Sequence, residues 1–188
     1  MSRELQGRKI AILATDGFEQ SELLEPLKRM RDAGATAVVL SPKSGEIRGW
    51  NKTDWGQTVP VDLEVNQAKA EDYDALVLPG GVMNPDHLRM DAEAMKFVND
   101  FIATERPIAA ICHGPWTLVE AGAVKGHTFT SWPSLKTDLE NAGAAWVDEE
   151  VVTSGPFISS RKPEDIPAFV RALVERLAPE PKRKERAA

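Results

Sequence analysis

Along the chain, short unbroken apolar runs alternate with stretches whose apolar positions recur every three or four residues. The first run, "KIAILA" at residues 9–14, stops at Thr15, Asp16 and Gly17 and reads as a buried strand. In "FEQSELLEPLKRMRDAG", Leu23, Leu27 and Met30 fall on one face of a helix. Pro26 lacks a backbone donor and should start a helical turn or kink the helix, and Gly34 is placed to end it. "TAVVLS" (36–41) predicts a second strand. Gly45, Gly49, Gly56 and Pro60, set among Thr and Val between 44 and 65, predict turns or a small hairpin. "DALVLPGG" (74–81) reads as a third strand running into a turn. Residues 91–104 then read as a helix with Met95, Val98, Phe101 and Ile102 inward. "RPIAAIC" predicts a fourth strand, "PWTLVEAGA" a helix ending at Gly122, and residues 134–141 another helix. Short β segments follow in "AWV", "EVVTSG" and "FISS". A last helix, Pro163 to Leu177, lines up Ile166, Phe169, Val170, Leu173 and Leu177.

Strands alternate with helices, and several strands are apolar throughout, which is the pattern of a mostly parallel sheet covered on both faces. The fold class expected is α/β, with residues 1–178 as one domain and 179–188 as a basic, disordered tail. Ligands of open α/β sheets gather outside the carboxyl ends of the strands, where "LVLPGG" and "IAAICHG" both terminate.

Composition narrows the function classes. The chain has 188 residues, 42% apolar and 28% charged, a profile for an ordinary globular protein. No apolar run approaches the ~20 residues of a membrane helix, and the N-terminus lacks a signal-peptide pattern, so no membrane is expected. Net charge is −6; residues 179–188 carry four basic and two acidic groups, leaving the rest at −8. An acidic body argues against nucleic acid as the ligand. The single cysteine cannot form an internal disulfide, which fits a reducing, cytoplasmic setting. His87 and His127 have no ligand-like spacing with other His or Cys, so neither a metal nor another cofactor is expected.

That cysteine, Cys112, sits in "Ala110-Ile111-Cys112-His113-Gly114", where a strand meets a helix. Small neighbours let the chain reverse sharply and expose a nucleophile at the corner. Helix N-terminal N–H groups there favour an anion, which predicts a lowered thiol pKa. A lone cysteine as a small core hydrophobe is the competing reading. The His113 N–H and a glycine N–H of Gly80-Gly81 are placed to hold an oxyanion. Alternatively, Pro-Gly-Gly is only a turn.

The segments "LVLPGG", "AAICHGPWTLVEAG", "TFTSWPSLKTDLENAGAAWVDEEVV" and "ISSRKPEDIPAF" resemble the PfpI-type intracellular peptidases. Their superfamily includes the Parkinsonism-associated deglycase and the class I glutamine amidotransferases. The resemblance implies a flavodoxin-like three-layer sandwich and a homodimer or higher homo-oligomer. It also implies Cys112 as nucleophile, His113 as its partner, and Glu19 as the carboxyl beside the sulfur. Its third member, an acid from a neighbouring subunit, falls on Asp86, where the archaeal peptidases have Glu in a loop one residue shorter. Asp86 reads equally as a helix N-cap. Trp132 matches an aromatic near the family's site, or is a packing aromatic. The amidotransferase branch needs a later His and Glu two residues apart, and His127 has no such acid. The activity implied is a stress-protective cysteine hydrolase of the deglycase or peptidase kind. Its substrates would be small aldehydes, glycated proteins or peptides, with glyoxalase-type hydration within the family's range. The alternative is a redox-responsive stress protein or holdase whose thiol oxidises with little turnover.

Overall fold

In a computed structural model that describes residues 4–178, β1 (Lys9–Leu13) leads through a two-residue strand, β2 (Phe18–Glu19), into α1 (Gln20–Asp32). β3 (Thr36–Ser41), a hairpin of β4 (Glu46–Asn51) and β5 (Asp54–Pro60), and β6 (Leu63–Glu64) follow. Then come β7 (Ala75–Leu78), α2 (Met83–Leu88), α3 (Ala92–Ile102), β8 (Ile108–Ile111) and α4 (Pro115–Glu120). β9 (Thr128–Phe129), α5 (Lys136–Asn141), β10 (Ala145–Trp146), β11 (Val151–Ser154), β12 (Phe157–Ser160) and α6 (Ile166–Leu177) complete the described chain. The tail expectation falls on residues 179–188, outside the described residues.

Seven strands form the central sheet in the order β11-β12-β8-β7-β1-β3-β6. Every neighbour pair in it is parallel except β11 with β12. Side chains alternate across a strand, so β1 serves two cores. Ile10 and Ile12 pack with Leu23, Leu27 and Met30 of α1 and Phe169 and Leu173 of α6. Ala11 and Leu13 face the opposite layer, with Phe97 and Phe101 of α3 and Leu118 of α4. The result is the three-layer sandwich expected. Its uniformly apolar central strands are those with helices on both sides.

The local departures have local causes. α1 runs across Pro26, which is buried within it; Gly34, at φ +95°, follows the helix end at Ala33. In α3 the buried set is Ala94, Phe97, Val98 and Phe101, while Met95 and Ile102 are half-buried. The inward stripe is thus rotated by about one residue from the expected one; Asp91 caps the helix, accepting from Ala94 N–H at 2.8 Å. The Gly-rich segment after β3 forms the β4–β5 hairpin, which joins β2 in a separate three-stranded sheet.

Candidate active site

β7 and β8 are adjacent and parallel, so their carboxyl ends deliver Gly80-Gly81 and Cys112-His113 to one place. Cys112 takes the strained conformation of an elbow, with φ +62°, a region rarely used by non-glycine residues. Two backbone bonds hold it there. The Cys112 N–H donates to Ser160 O at 3.0 Å, and the Trp132 N–H donates to Cys112 O at 3.0 Å. Gly114 is required two positions on, because a Cβ there would overlap the carbonyl oxygens of Leu78 and Ile111. α4 then begins with Pro115.

Cys112 is only 6% exposed. Its sulfur lies 3.2 Å from Nδ1 of His113, which is itself buried. The backbone N–H groups of Gly81 and His113 also face the sulfur. The Gly80 N–H points elsewhere and donates to Glu22 Oε2 at 2.8 Å. A Cβ on Gly80 would come within 2.5 Å of Glu22 Oε2, 2.6 Å of Cys112 Cβ and 2.9 Å of His113 N. Only glycine lets these three groups converge.

The carboxyl beside the sulfur is Glu22, not Glu19. This corrects the expectation drawn from the resemblance. Glu19 lies just before α1 and caps it, its Oε2 accepting from Glu22 N–H at 3.0 Å and from Ser21 Oγ at 2.5 Å. Glu22 is one turn further, on the inward side of the helix, fully buried, and its Oε1 has no partner among the described residues. Burial, reinforced by the Glu19 charge, pushes the Glu22 carboxyl up to about 8.

The thiol also departs from expectation. The facing N–H groups of Gly81 and His113 favour a thiolate, but burial and the neighbouring Glu22 act more strongly and push the Cys112 thiol up. Burial likewise holds the His113 imidazole below its ordinary 6.5. All three directions favour the neutral forms at neutral pH: a thiol, an imidazole and a protonated carboxyl. That arrangement suits proton transfer during attack rather than a standing thiolate.

Two tryptophans flank His113. Trp132, 40% exposed, stacks on the ring with centroids 6.2 Å apart and planes at 24°. Trp116 meets it edge-on at 5.2 Å. The indole N–H of Trp116 donates to Asp138 at 2.8 Å, and the Arg89 guanidinium covers its ring at 5.0 Å. Asp86 is not the N-cap of α2, which is Val82. Its Oδ1 accepts from Arg89 Nε at 3.0 Å and from Nη2 at 2.6 Å. Within the chain, then, Asp86 meets Arg89 rather than His113. Three neighbours of the site were not anticipated from the sequence: Trp116, Glu22 and Ser134. Glu22 is signalled by its helical phase, sharing a stripe with Leu23, Pro26, Leu27 and Met30. Ser134, whose Oγ is 3.4 Å from His113 Nε2, carries no such signal. Among the described residues no His, Cys, Asp and Glu side chains cluster as a metal site, and no helix is long and apolar enough to cross a membrane.

Comparison with known proteins shows which family the chain falls in. Residues 8–176 match the family model described as the DJ-1/PfpI family. Deglycase TK1284 of Thermococcus kodakarensis is 41% identical over 169 residues, 90% of this chain and 99% of that protein. General stress protein 18 of Bacillus subtilis is 41% identical over 175 residues, again 90% and 99%. Among solved structures, a two-domain protein from Anabaena variabilis with DJ-1/ThiJ/PfpI-like and ferritin-like domains superposes with a TM-score of 0.85 at 33% identity. That match covers 96% of this chain and 52%, about half, of the other.

Proposed function

Because the chain belongs to the DJ-1/PfpI family, we propose that it is a stress-protective hydrolase in which Cys112 is the nucleophile. Its substrates are glycated or aldehyde-modified groups on proteins, or peptides. One observation carries this reading: an elbow thiol 3.2 Å from a buried imidazole nitrogen, with two backbone N–H groups converging on the same sulfur. The names of the relatives, a deglycase and a general stress protein, support the substrate class and the setting.

The chemistry follows from the protonation states. On a peptide amide, as Sγ bonds to the scissile carbonyl carbon, the thiol proton passes to His113 Nδ1 and the carbonyl π pair moves onto oxygen. The N–H groups of Gly81 and His113 stabilise that oxyanion. His113 then returns its proton to the departing amine nitrogen as the C–N bond breaks, leaving a thioester. Water, activated by the same imidazole, hydrolyses the thioester and frees the thiol. Glu22 keeps its proton near neutrality, so it can donate to the sulfur without adding a second negative charge to a buried site.

Self-association belongs to the same proposal. Val82 and Met90, at the two ends of α2, and Trp132 beside His113 are large apolar side chains left exposed, and a second copy covering this side would bury them. The lone cysteine fits a reducing compartment.

The test compares wild type with Cys112→Ala on a methylglyoxal-modified peptide and on a fluorogenic peptide. Turnover of both is expected to vanish in the variant. Equal rates in the two proteins would remove Cys112 from the mechanism.

A further inference from the structure

We propose that Asn84 is the positioning residue for the oxyanion hole: its buried amide grips the Gly80–Gly81 peptide so that the Gly81 N–H points at the reacting centre. The inference rests on the hydrolase reading for its purpose, but on hydrogen bonds within the resting chain for its content. Asn84 is the second residue of α2 and is fully enclosed. Its Nδ2 donates to Pro79 O at 2.9 Å and to Gly80 O at 3.2 Å, while its Oδ1 accepts from Thr15 N–H at 2.8 Å. Both amide hydrogens and the oxygen are thus in use. The reversed amide would set its oxygen against two carbonyl oxygens and its hydrogens against an N–H, so only one orientation fits.

Peptide geometry carries this grip to the site. β7 ends at Leu78, so the Pro79 and Gly80 carbonyls lie beyond the strand. In the planar, trans Gly80–Gly81 peptide, the carbonyl oxygen and the amide hydrogen point in opposite directions. Holding Gly80 O on one side therefore aims the Gly81 N–H to the other, where it faces the Cys112 sulfur. The Glu19 N–H also donates to Gly80 O, at 3.2 Å, so two elements share the hold on one oxygen. Gly81 takes φ +79° here, and a Cβ on it would overlap Gly17 O. A donor fixed before the oxyanion forms costs no reorganisation when it does.

Asn84 has two separable jobs. Accepting from Thr15 N–H ties α2 to the loop leaving β1, which is a structural role. Donating to Pro79 O and Gly80 O orients the turn, which is the role that bears on the chemistry. A carboxylate in the same place could still accept from Thr15 but could not donate to the turn.

The experiment uses the full chain as wild type, Asn84→Ala and Asn84→Asp, with steady-state kinetics on the fluorogenic peptide. Proton NMR of the Gly81 amide is recorded for each with and without Cys112→Ala. In the wild-type background, Cys112→Ala is expected to shift the Gly81 amide proton, because it removes the atom that the N–H faces. In the Asn84→Ala background the same change should leave that proton nearly unmoved. Asn84→Ala should also lower kcat about 10- to 100-fold with KM unchanged. That is less than the ~10²–10³ lost with a whole oxyanion donor, because the Glu19 N–H still holds Gly80 O. For Asn84→Asp, kcat relative to wild type should fall as the carboxyl ionises with rising pH, since only its protonated form can donate to the turn. Where Asn84→Ala fails to fold, Asn84→Asp takes its place in both measurements. The proposal is overturned by an equal Gly81 shift in both backgrounds, by a wild-type kcat in Asn84→Ala, or by an Asn84→Asp to wild-type ratio that does not vary with pH. The amide readout needs no turnover, so it stands apart from the Cys112→Ala test of the hydrolase reading.

Discussion

At the scale of single residues, the site is governed by where one proton sits. Cys112 is nearly enclosed, and burial together with Glu22 opposes its ionisation more than the Gly81 and His113 amides favour it. The rate of Cys112 alkylation by iodoacetamide should therefore climb continuously through neutral pH and past pH 8, and at pH 7 run slower than that of free glutathione. A plateau already reached below pH 7 would mean a standing thiolate and would refute proton transfer to His113. The sequence conveyed this site unevenly. Cys112 and its elbow are legible because small residues on either side of a lone cysteine, at a strand-to-helix corner, form a recognisable pattern. The protonation state is not, since it depends on enclosure by segments far apart in the chain: β8, the Gly80-Gly81 turn and α1. The exchange of Glu22 for Glu19 has the same origin. Both acids lie at the start of α1, and only the phase of the helix decides which faces the core; Glu19 is spent on capping it.

At the scale of elements, the elbow is a junction between β8 and α4 that tolerates nothing larger than hydrogen at Gly114. A methyl there meets two backbone carbonyls, Leu78 O of the neighbouring strand and Ile111 O of its own. Neither can rotate aside as a side chain would. Gly114→Ala should cost about 1–3 kcal/mol, the usual penalty of overpacking, seen as a lower midpoint in urea unfolding at unchanged slope. It should also lower kcat, because relief of the overlap displaces Cys112 from His113. A variant with wild-type midpoint and kcat would show that the elbow is looser than its contacts. The central strands were plain in the sequence, though the two-residue strands β2 and β9 were not: "TAVVLS" spans the same residues as β3, and α6 buries all five residues that its spacing selected. Those patterns survive because a central strand or a long amphipathic helix has only one way to hide its apolar positions. The phase of α3 was less plain: Met95 and Ile102, which the apolar spacing selected, are half-buried, while Ala94 and Phe97 are buried.

At the scale of the whole molecule, the sandwich buries a titratable acid in the layer that joins α1 to the sheet, and this ties global stability to pH. The Glu22 carboxyl titrates at about 8 when folded, against an ordinary 4.5. Between those values the folded chain holds a proton that the unfolded chain has released. The Glu22 contribution to stability must then fall as pH rises from about 4.5 to about 8 and level off above it, since the slope follows the difference in bound protons. Glu22→Gln removes the titration while its amide oxygen can still accept from Gly80 N–H. The variant should unfold at nearly the wild-type denaturant concentration at pH 5 and become progressively more stable than wild type toward pH 8. His113 contributes an opposite slope in acid, because burial lowers it and the unfolded chain binds more protons below about 6.5. That contribution is present in both proteins and cancels in the difference curve. The thiol, already ordinarily protonated at neutrality and raised further by burial, adds its own dependence only above this window. Parallel wild-type and Glu22→Gln curves from pH 5 to 8 would mean that Glu22 is ionised in the folded state. The protonated acid beside Cys112, and the single negative charge it permits the site to carry during attack, would then have to be abandoned.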